Sequence, residues 1–223
     1  MGSSESRNLT TALLALTFVT GIVDAVSFLA LGGVFAAMQT GNVIFLGLGI
    51  AGAPGAPFVA PVIGLAAFLL GAALAAFAWR GSASAAKALF GPALTIEVGL
   101  LALAALIAAV ADPSAGAFGA YLVIFLLSLT MGLRNTIARH AGGPDLATTV
   151  LNLTMTAFAA SSPLGFASGA ELTERAAGIA AILAGAVTGA LLVKADTALP
   201  LALAAVVTFT AALDLRSSAA TPS

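Results

Sequence analysis

The chain has no cysteine and a single histidine, His140. The first absence removes disulfides and thiolate metal sites, and the second removes any multi-histidine centre. Charge is scarce as well: Asp, Glu, Lys and Arg make up 8% of residues, against about 25% in soluble domains. The formal net charge is −1, and no basic run suggests nucleic acid or anionic lipid. Hydrocarbon takes the place of charge. Mean hydropathy is +1.12, and apolar stretches of membrane-spanning length recur from end to end. The expected environment is a lipid bilayer, where each polar residue away from the loops needs a reason.

A bilayer core about 30 Å thick takes roughly 20 apolar residues of helix. Six segments meet or approach that length: 9–31, 58–78, 93–111, 117–133, 176–193 and 197–213. Two more, 34–51 and 146–160, are shorter or interrupted by Thr, Asn and Gly. Spans use nearly all of the 223 residues, so a single membrane domain over 1–223 is expected. Segment 9–31 reads as a span rather than a cleaved signal peptide, because it is long, contains Asp24 and precedes five further spans.

The positive charges choose between span counts, since Lys and Arg favour cytoplasmic loops. With six crossings and a cytoplasmic N-terminus, Arg7, Arg80, Lys87, Arg134, Arg139, Arg175 and Arg216 are cytoplasmic, and only Lys194 is outside. Letting one or both short segments cross gives poorer splits. Under six crossings, residues 32–57 lie on the outer side without a single charge, so they should dip into the membrane and return. Residues 139–162 should re-enter from the cytoplasmic face. Non-helical backbone survives at membrane depth only inside protein or beside a water-filled cavity.

Sliding the chain on itself by 111 residues places Thr20-Gly21-Ile22-Val23-Asp24 over Met131-Gly132-Leu133-Arg134-Asn135. Each half then reads as span, short polar-apolar segment, span, span. Three crossings per half would set the second half upside down. The expected fold class is therefore all-α: a polytopic membrane protein with six transmembrane helices as two inverted three-span repeats, 9–111 and 117–214. Each repeat carries a short interrupted or re-entrant segment. Many secondary transporters follow such a plan, with sites where the halves meet.

Several polar residues fall at membrane depth. In Gln39-Thr40-Gly41-Asn42, Thr and Asn offer hydroxyl and amide groups, and Gly permits close approach. A half-helix starting there would aim unpaired N–H groups at a cavity and favour negative charge. The alternative is a cap that satisfies its own helix end. In the second half, Pro144 breaks helix and Asp145 can cap the next one. Thr148, Thr149, Asn152 and Thr156 then share a face with Asp145; a helix contact glued by Thr and Asn is the competing reading. Asp24 lies about 15 residues into the first span, where a charge costs roughly 2.5–3.5 kcal/mol or more. It is expected to bind a proton or cation, or else to pair with Arg134. Arg134 and Asn135 occupy the matching place in the second half, where Arg134 also suits a positive-inside anchor. Glu97 is expected to snorkel to the surface and His140 to sit in a loop. Glu171, Glu174 and Arg175 read as a cytoplasmic helix start. Gly71, Ala72 and Ala75, like Gly185 and Gly189, form small-residue faces for close helix packing.

Thr20-Gly21-Ile22-Val23-Asp24-Ala25-Val26-Ser27-Phe28, with Gly32, Val34-Phe35 and Thr40-Gly41-Asn42, resembles the YoaK family. So does Met131-Gly132-Leu133-Arg134-Asn135 with Gly143-Pro144-Asp145-Leu146 and Thr148-Thr149-Val150. The similarity covers about residues 10–215. It implies a small multi-spanning protein of the bacterial inner membrane and supplies no substrate. Family members tend to carry Thr-Gly-Thr after the second Thr-Thr; this chain has Asn152-Leu153-Thr154, without the glycine.

The leading expectation is a small secondary transporter or channel for an unidentified small solute or ion. Its pathway would run between the halves, lined by Asp24, Gln39, Thr40, Gly41, Asn42, Arg134, Asn135, Asp145, Thr148, Thr149 and Asn152. Half-helix N-termini favour an anionic group, while Asp24 favours a cation or proton. No cofactor or metal is expected, the lipid bilayer is the surrounding partner, and a homodimer would thicken the thin walls of a six-span pore. The alternative is a non-transporting protein that binds or assembles with a partner protein or lipid. An enzyme is not expected, because no paired carboxylates, histidine cluster or Ser/Lys dyad stands out.

Overall fold

A computed structural model of the chain describes residues 3–78, 83–111, 113–141 and 169–220. Every regular element among them is an α-helix: α1 (Ser3–Leu29), α2 (Gln39–Ile50), α3 (Val59–Ala78), α4 (Ala83–Val110), α5 (Phe118–Ala141), α6 (Gly169–Val193) and α7 (Ala198–Ala220). Six of these are long and apolar enough to cross a membrane: α1, α3, α4, α5, α6 and α7. The expected span from 117 to 133 runs longer, to Ala138. His140, expected in a loop, falls within the last turn of α5. Most of the expected second re-entrant segment, 139–162, lies outside the described residues.

The remaining helix, α2, is too short to cross. Twelve residues of α2 rise about 18 Å, well short of a bilayer core. Its neighbours explain how the chain comes back. α1 stops in a left-handed turn, with Gly32 at φ 116° and Gly33 at φ 72°, and the Gly33 N–H bonds Phe28 O at 3.2 Å. That geometry ends a helix and needs glycine. A Cβ on Gly32 would lie 3.6 Å from Ala115 Cβ and 3.9 Å from Ala60 Cβ. The end of α1, the start of α3 and the turn before α5 therefore share one face. Residues 32–57 leave that face and return to it, as their lack of charge predicts.

Packing follows membrane rules. With lipid as apolar as leucine, helices associate through close contact rather than hydrophobic exclusion. α3 lies along α5 and α6 along α1, while α4 and α7 pack on each other and across these pairs. Four glycines set the closest approaches. A Cβ on Gly132 would fall 2.1 Å from Phe68 O, and one on Gly71 2.1 Å from Leu129 O. In the other pair, Gly21 would meet Ile182 O at 2.2 Å and Gly185 would meet Phe18 O at 2.0 Å. The expected small-residue faces at Gly71 and Gly185 are thus helix contacts. Large apolar side chains such as Leu69, Leu74, Leu103, Leu183 and Phe209 point outward, into what is lipid for a membrane protein.

Hydroxyls within the spans are mostly turned back on their own helices. Thr17, Thr20, Ser27, Thr130 and Thr208 each donate to the carbonyl four residues earlier, at 2.7 to 3.0 Å. This satisfies them without water. They need no functional explanation.

Candidate functional site

Two polar centres sit at membrane depth among the described residues, about two turns apart along α1. The first is built around the non-helical backbone between α1 and α2. Leu31, Val34, Ala36 and Ala37 are buried, so the peptide groups of this stretch cannot be solvated and need internal partners. Asp24 and Asn42 supply them. Asp24, 6% exposed, accepts the Ala37 N–H on Oδ1 at 2.8 Å, with the N–H groups of Ala36 and Met38 beside it. Its second oxygen, Oδ2, is buried and accepts no hydrogen bond.

Asn42 is fully buried on the inner face of α2. Its Oδ1 accepts the Phe35 N–H at 2.9 Å, and its Nδ2 donates to Phe35 O at 2.6 Å and to Gln39 Oε1 at 2.8 Å. Gln39 in turn donates through Nε2 to Ala36 O at 2.8 Å. The side chains of 39–42 therefore clasp the preceding loop. They do not cap their own helix: the residue at the cap, Met38, makes no side-chain cap bond. The helix start is not open to an anion in the way expected from sequence either, because the Gln39 and Gly41 N–H groups bond Ala37 O and Met38 O. Gly41 has a packing reason. A Cβ there would sit 2.6 Å from the Phe35 ring, which stacks with Phe28 and Phe45 at centroid distances of 5.2 and 6.0 Å. Thr40 is exposed.

The second centre joins three helices about two turns earlier along α1. Arg134, on α5, is 4% exposed and donates through Nη1 to Leu16 O of α1 at 2.7 Å and through Nη2 to Met131 Sδ at 2.6 Å. Leu16 precedes Asp24 by eight residues, about 12 Å along α1. Nη1 also lies 3.4 Å from Glu97 Oε1 on α4. Glu97 is itself 4% exposed, with the Thr208 hydroxyl beside it. Two sequence expectations are corrected here. Glu97 does not snorkel, because it shares the inward face of α4 with Leu94, Leu101, Ala104 and Ala108. Arg134 takes Glu97 rather than Asp24 as its ion-pair partner and is buried between α1, α4 and α5.

Of the expected site residues, Asp24, Gln39, Gly41 and Asn42 gather around one loop, while Arg134 lies at the other centre with Asn135 half-buried next to it on α5. Asp145, Thr148, Thr149 and Asn152 lie outside the described residues. Sequence reasoning missed Glu97 and Ser128. The Ser128 hydroxyl is fully buried without a partner and would face a Cβ on Gly64 at 3.4 Å. A signal for Glu97 was present: it falls in helical step with Ala104 and Ala108, and small residues mark contact faces in membranes.

With this geometry in hand, likeness to known proteins can be weighed. Residues 12–213 match the model of a family described as "Protein of unknown function (DUF1275)". The chain is also 30% identical, over 155 residues, to the UPF0700 transmembrane protein YoaK of Bacillus subtilis (strain 168). That alignment covers 70% of this chain and 67% of the relative. No solved structure matches the chain.

Proposed function

The chain belongs to the DUF1275 family, and from that premise we propose that it is a small secondary transporter or channel with Asp24 as its ion-coupling group. One observation carries the reading: a carboxylate buried at membrane depth, beside broken-helix backbone, has an oxygen with no partner. Buried polar atoms are nearly always bonded, and an exception calls for a proton, ion or water. Within a span, an ionisable residue is a functional candidate by default. The substrate is a small solute or ion, moving along the interface between two inverted three-span halves.

The glycine contacts support the inverted halves. Gly21 and Phe18 stand 111 positions before Gly132 and Leu129; Gly71 and Phe68 stand 114 before Gly185 and Ile182. Each contact in one pair of helices thus has its counterpart in the other pair. A two-fold relation in the membrane plane produces that pattern, and transporter sites form at such axes. The charge distribution supports placement in the bacterial inner membrane with both termini in the cytoplasm.

The test is flux. Proteoliposomes carrying pH- and sodium-sensitive dyes are challenged with a panel of small anionic, zwitterionic and neutral solutes. Solute-driven proton or sodium movement is expected for wild type and its loss for Asp24→Asn, which retains an oxygen for the Ala37 N–H. Equal movement in both proteins would remove Asp24 from the mechanism.

A second reading rests on α2. Val43, Ile44, Leu48 and Ile50 are exposed on it, while the polar side chains of Gln39 and Asn42 are spent inside the loop. A protein that docks a membrane partner or lipid there would look the same. Stoichiometric co-purification of a partner, with no solute-driven flux, would favour it.

A further inference from the structure

Three buried side-chain oxygens among the described residues accept or donate no hydrogen bond: Asp24 Oδ2, Ser128 Oγ and Glu97 Oε1. The last belongs to an ion pair, which makes its isolation harder to explain. Arg–carboxylate pairs frequently use the guanidinium fork, with two parallel N–H···O bonds. Arg134 instead spends Nη1 on Leu16 O and Nη2 on Met131 Sδ, leaving Glu97 at 3.4 Å in Coulombic contact alone. Among the described residues, Oε1 keeps acceptor capacity that nothing fills, while the Thr208 hydroxyl lies beside the carboxylate.

Beside it, a cleft between α4 and α5, lined by Ala93, Leu94, Glu97, Leu133, Arg134 and Ile137, holds room for about one water molecule. Arg134 lies in the field of both Glu97 and Asp24, and uncompensated charge at membrane depth is costly. A proton on either carboxyl leaves Arg134 to balance the other.

We infer that Glu97 and Arg134 form a second ion-handling site, at which the Glu97 carboxylate binds and releases a proton through the α4–α5 cleft. The step is a simple transfer: hydronium in the cleft gives its proton to Oε1 and leaves as water, and release is the reverse. The groups facing Glu97 are few. α5 contributes Arg134, α7 the uncharged Thr208 hydroxyl, and α1 the Leu16 carbonyl with Asp24 two turns farther on. On α4 itself, Thr95 accepts a bond from Arg216 of α7 at 2.7 Å. The site shares the field of Arg134 with Asp24 but does not depend on the chain transporting anything.

The experiment uses full-length protein in nanodiscs, labelled with carboxyl-13C glutamate. The chain has glutamates only at 5, 97, 171 and 174, and the Glu97 resonance is assigned by its loss in Glu97→Gln. Should that variant not fold, a Glu5→Gln/Glu171→Gln/Glu174→Gln protein leaves Glu97 as the sole signal. The Glu97 resonance is expected to move between carboxylate and carboxyl positions during a pH titration in which the protein stays folded. A resonance fixed at either position throughout would overturn the proposal. A titrating Glu97 in a protein with no solute-driven flux would sink the transport reading and leave this site standing.

Discussion

Replacing Gly132 with alanine probes the packing logic of the whole bundle. The new Cβ would fall 2.1 Å from Phe68 O, 2.9 Å from Phe68 C and 3.0 Å from Ala72 N. All three are backbone atoms, so no side chain can rotate away. To reach even a tight contact of about 3.0 Å, α3 and α5 must part by about 0.9 Å. A gap of that size forfeits a quarter to a half of the dispersion attraction between atoms left facing it. Lipid offers no hydrophobic force to close it again. Over-packing of this kind costs about 1–3 kcal/mol, occasionally more. Against that stands a helix-propensity gain of about 1 kcal/mol for Gly to Ala. A net loss of up to about 2 kcal/mol is expected at Gly132, and a loss of about 1–3 kcal/mol relative to an unhindered glycine. The control is Gly99, around which a Cβ would meet nothing within 4 Å; there alanine should keep the full propensity gain. Reversible unfolding in mixed micelles, followed by circular dichroism, measures both. If Gly132→Ala proves as stable as Gly99→Ala, close backbone contact does not hold α3 to α5. Gly21→Ala, Gly71→Ala and Gly185→Ala should cost comparable amounts, since their contacts are equally short.

Two further perturbations address the polar centres. Asn42→Ala strands the Phe35 N–H and C=O in a buried loop, at roughly 1–3 kcal/mol for each group; faster hydrogen exchange at residues 35–37 and a loss of about 2–6 kcal/mol in unfolding free energy are expected. Unchanged exchange there would show that the loop does not need its clasp. Arg134→Met leaves Glu97 buried without a counter-charge and should destabilise by about 3–5 kcal/mol, whereas Arg134→Met/Glu97→Leu should recover most of that. A double variant no more stable than Arg134→Met would point to the Leu16 bond, not the ion pair, as what matters.

Legibility in the sequence varied with how local the governing physics was. The break after α1 was readable at Gly32-Gly33, and the return of residues 32–57 followed from their lack of charge. Asp24 was recognisable as a problem because a carboxylate deep in an apolar run is costly wherever its neighbours lie. Its partner was not recognisable. Asp24 and Arg134 were the obvious opposite charges, yet Arg134 meets Glu97, because the rotation of α4 about its axis turns Glu97 inward. Thr40-Gly41-Asn42 looked like a ligand loop. The fold gives two of its residues a structural role, with the Phe35 ring against Gly41 and Asn42 bonding Phe35, a contact seven residues apart that no periodicity announces.

The amino-acid sequence by itself determined that this chain lives in lipid, crosses it six times and interrupts its first half with a buried loop. Those outcomes depend on the length of apolar runs, the placing of glycine and the scarcity of charge, all properties of a segment alone. Only the tertiary structure decided which polar groups meet, which carboxylate oxygens are left over and which glycines touch a neighbouring backbone. Such pairings depend on which helices lie side by side and how each is rotated, and a sum of many weak contacts sets both.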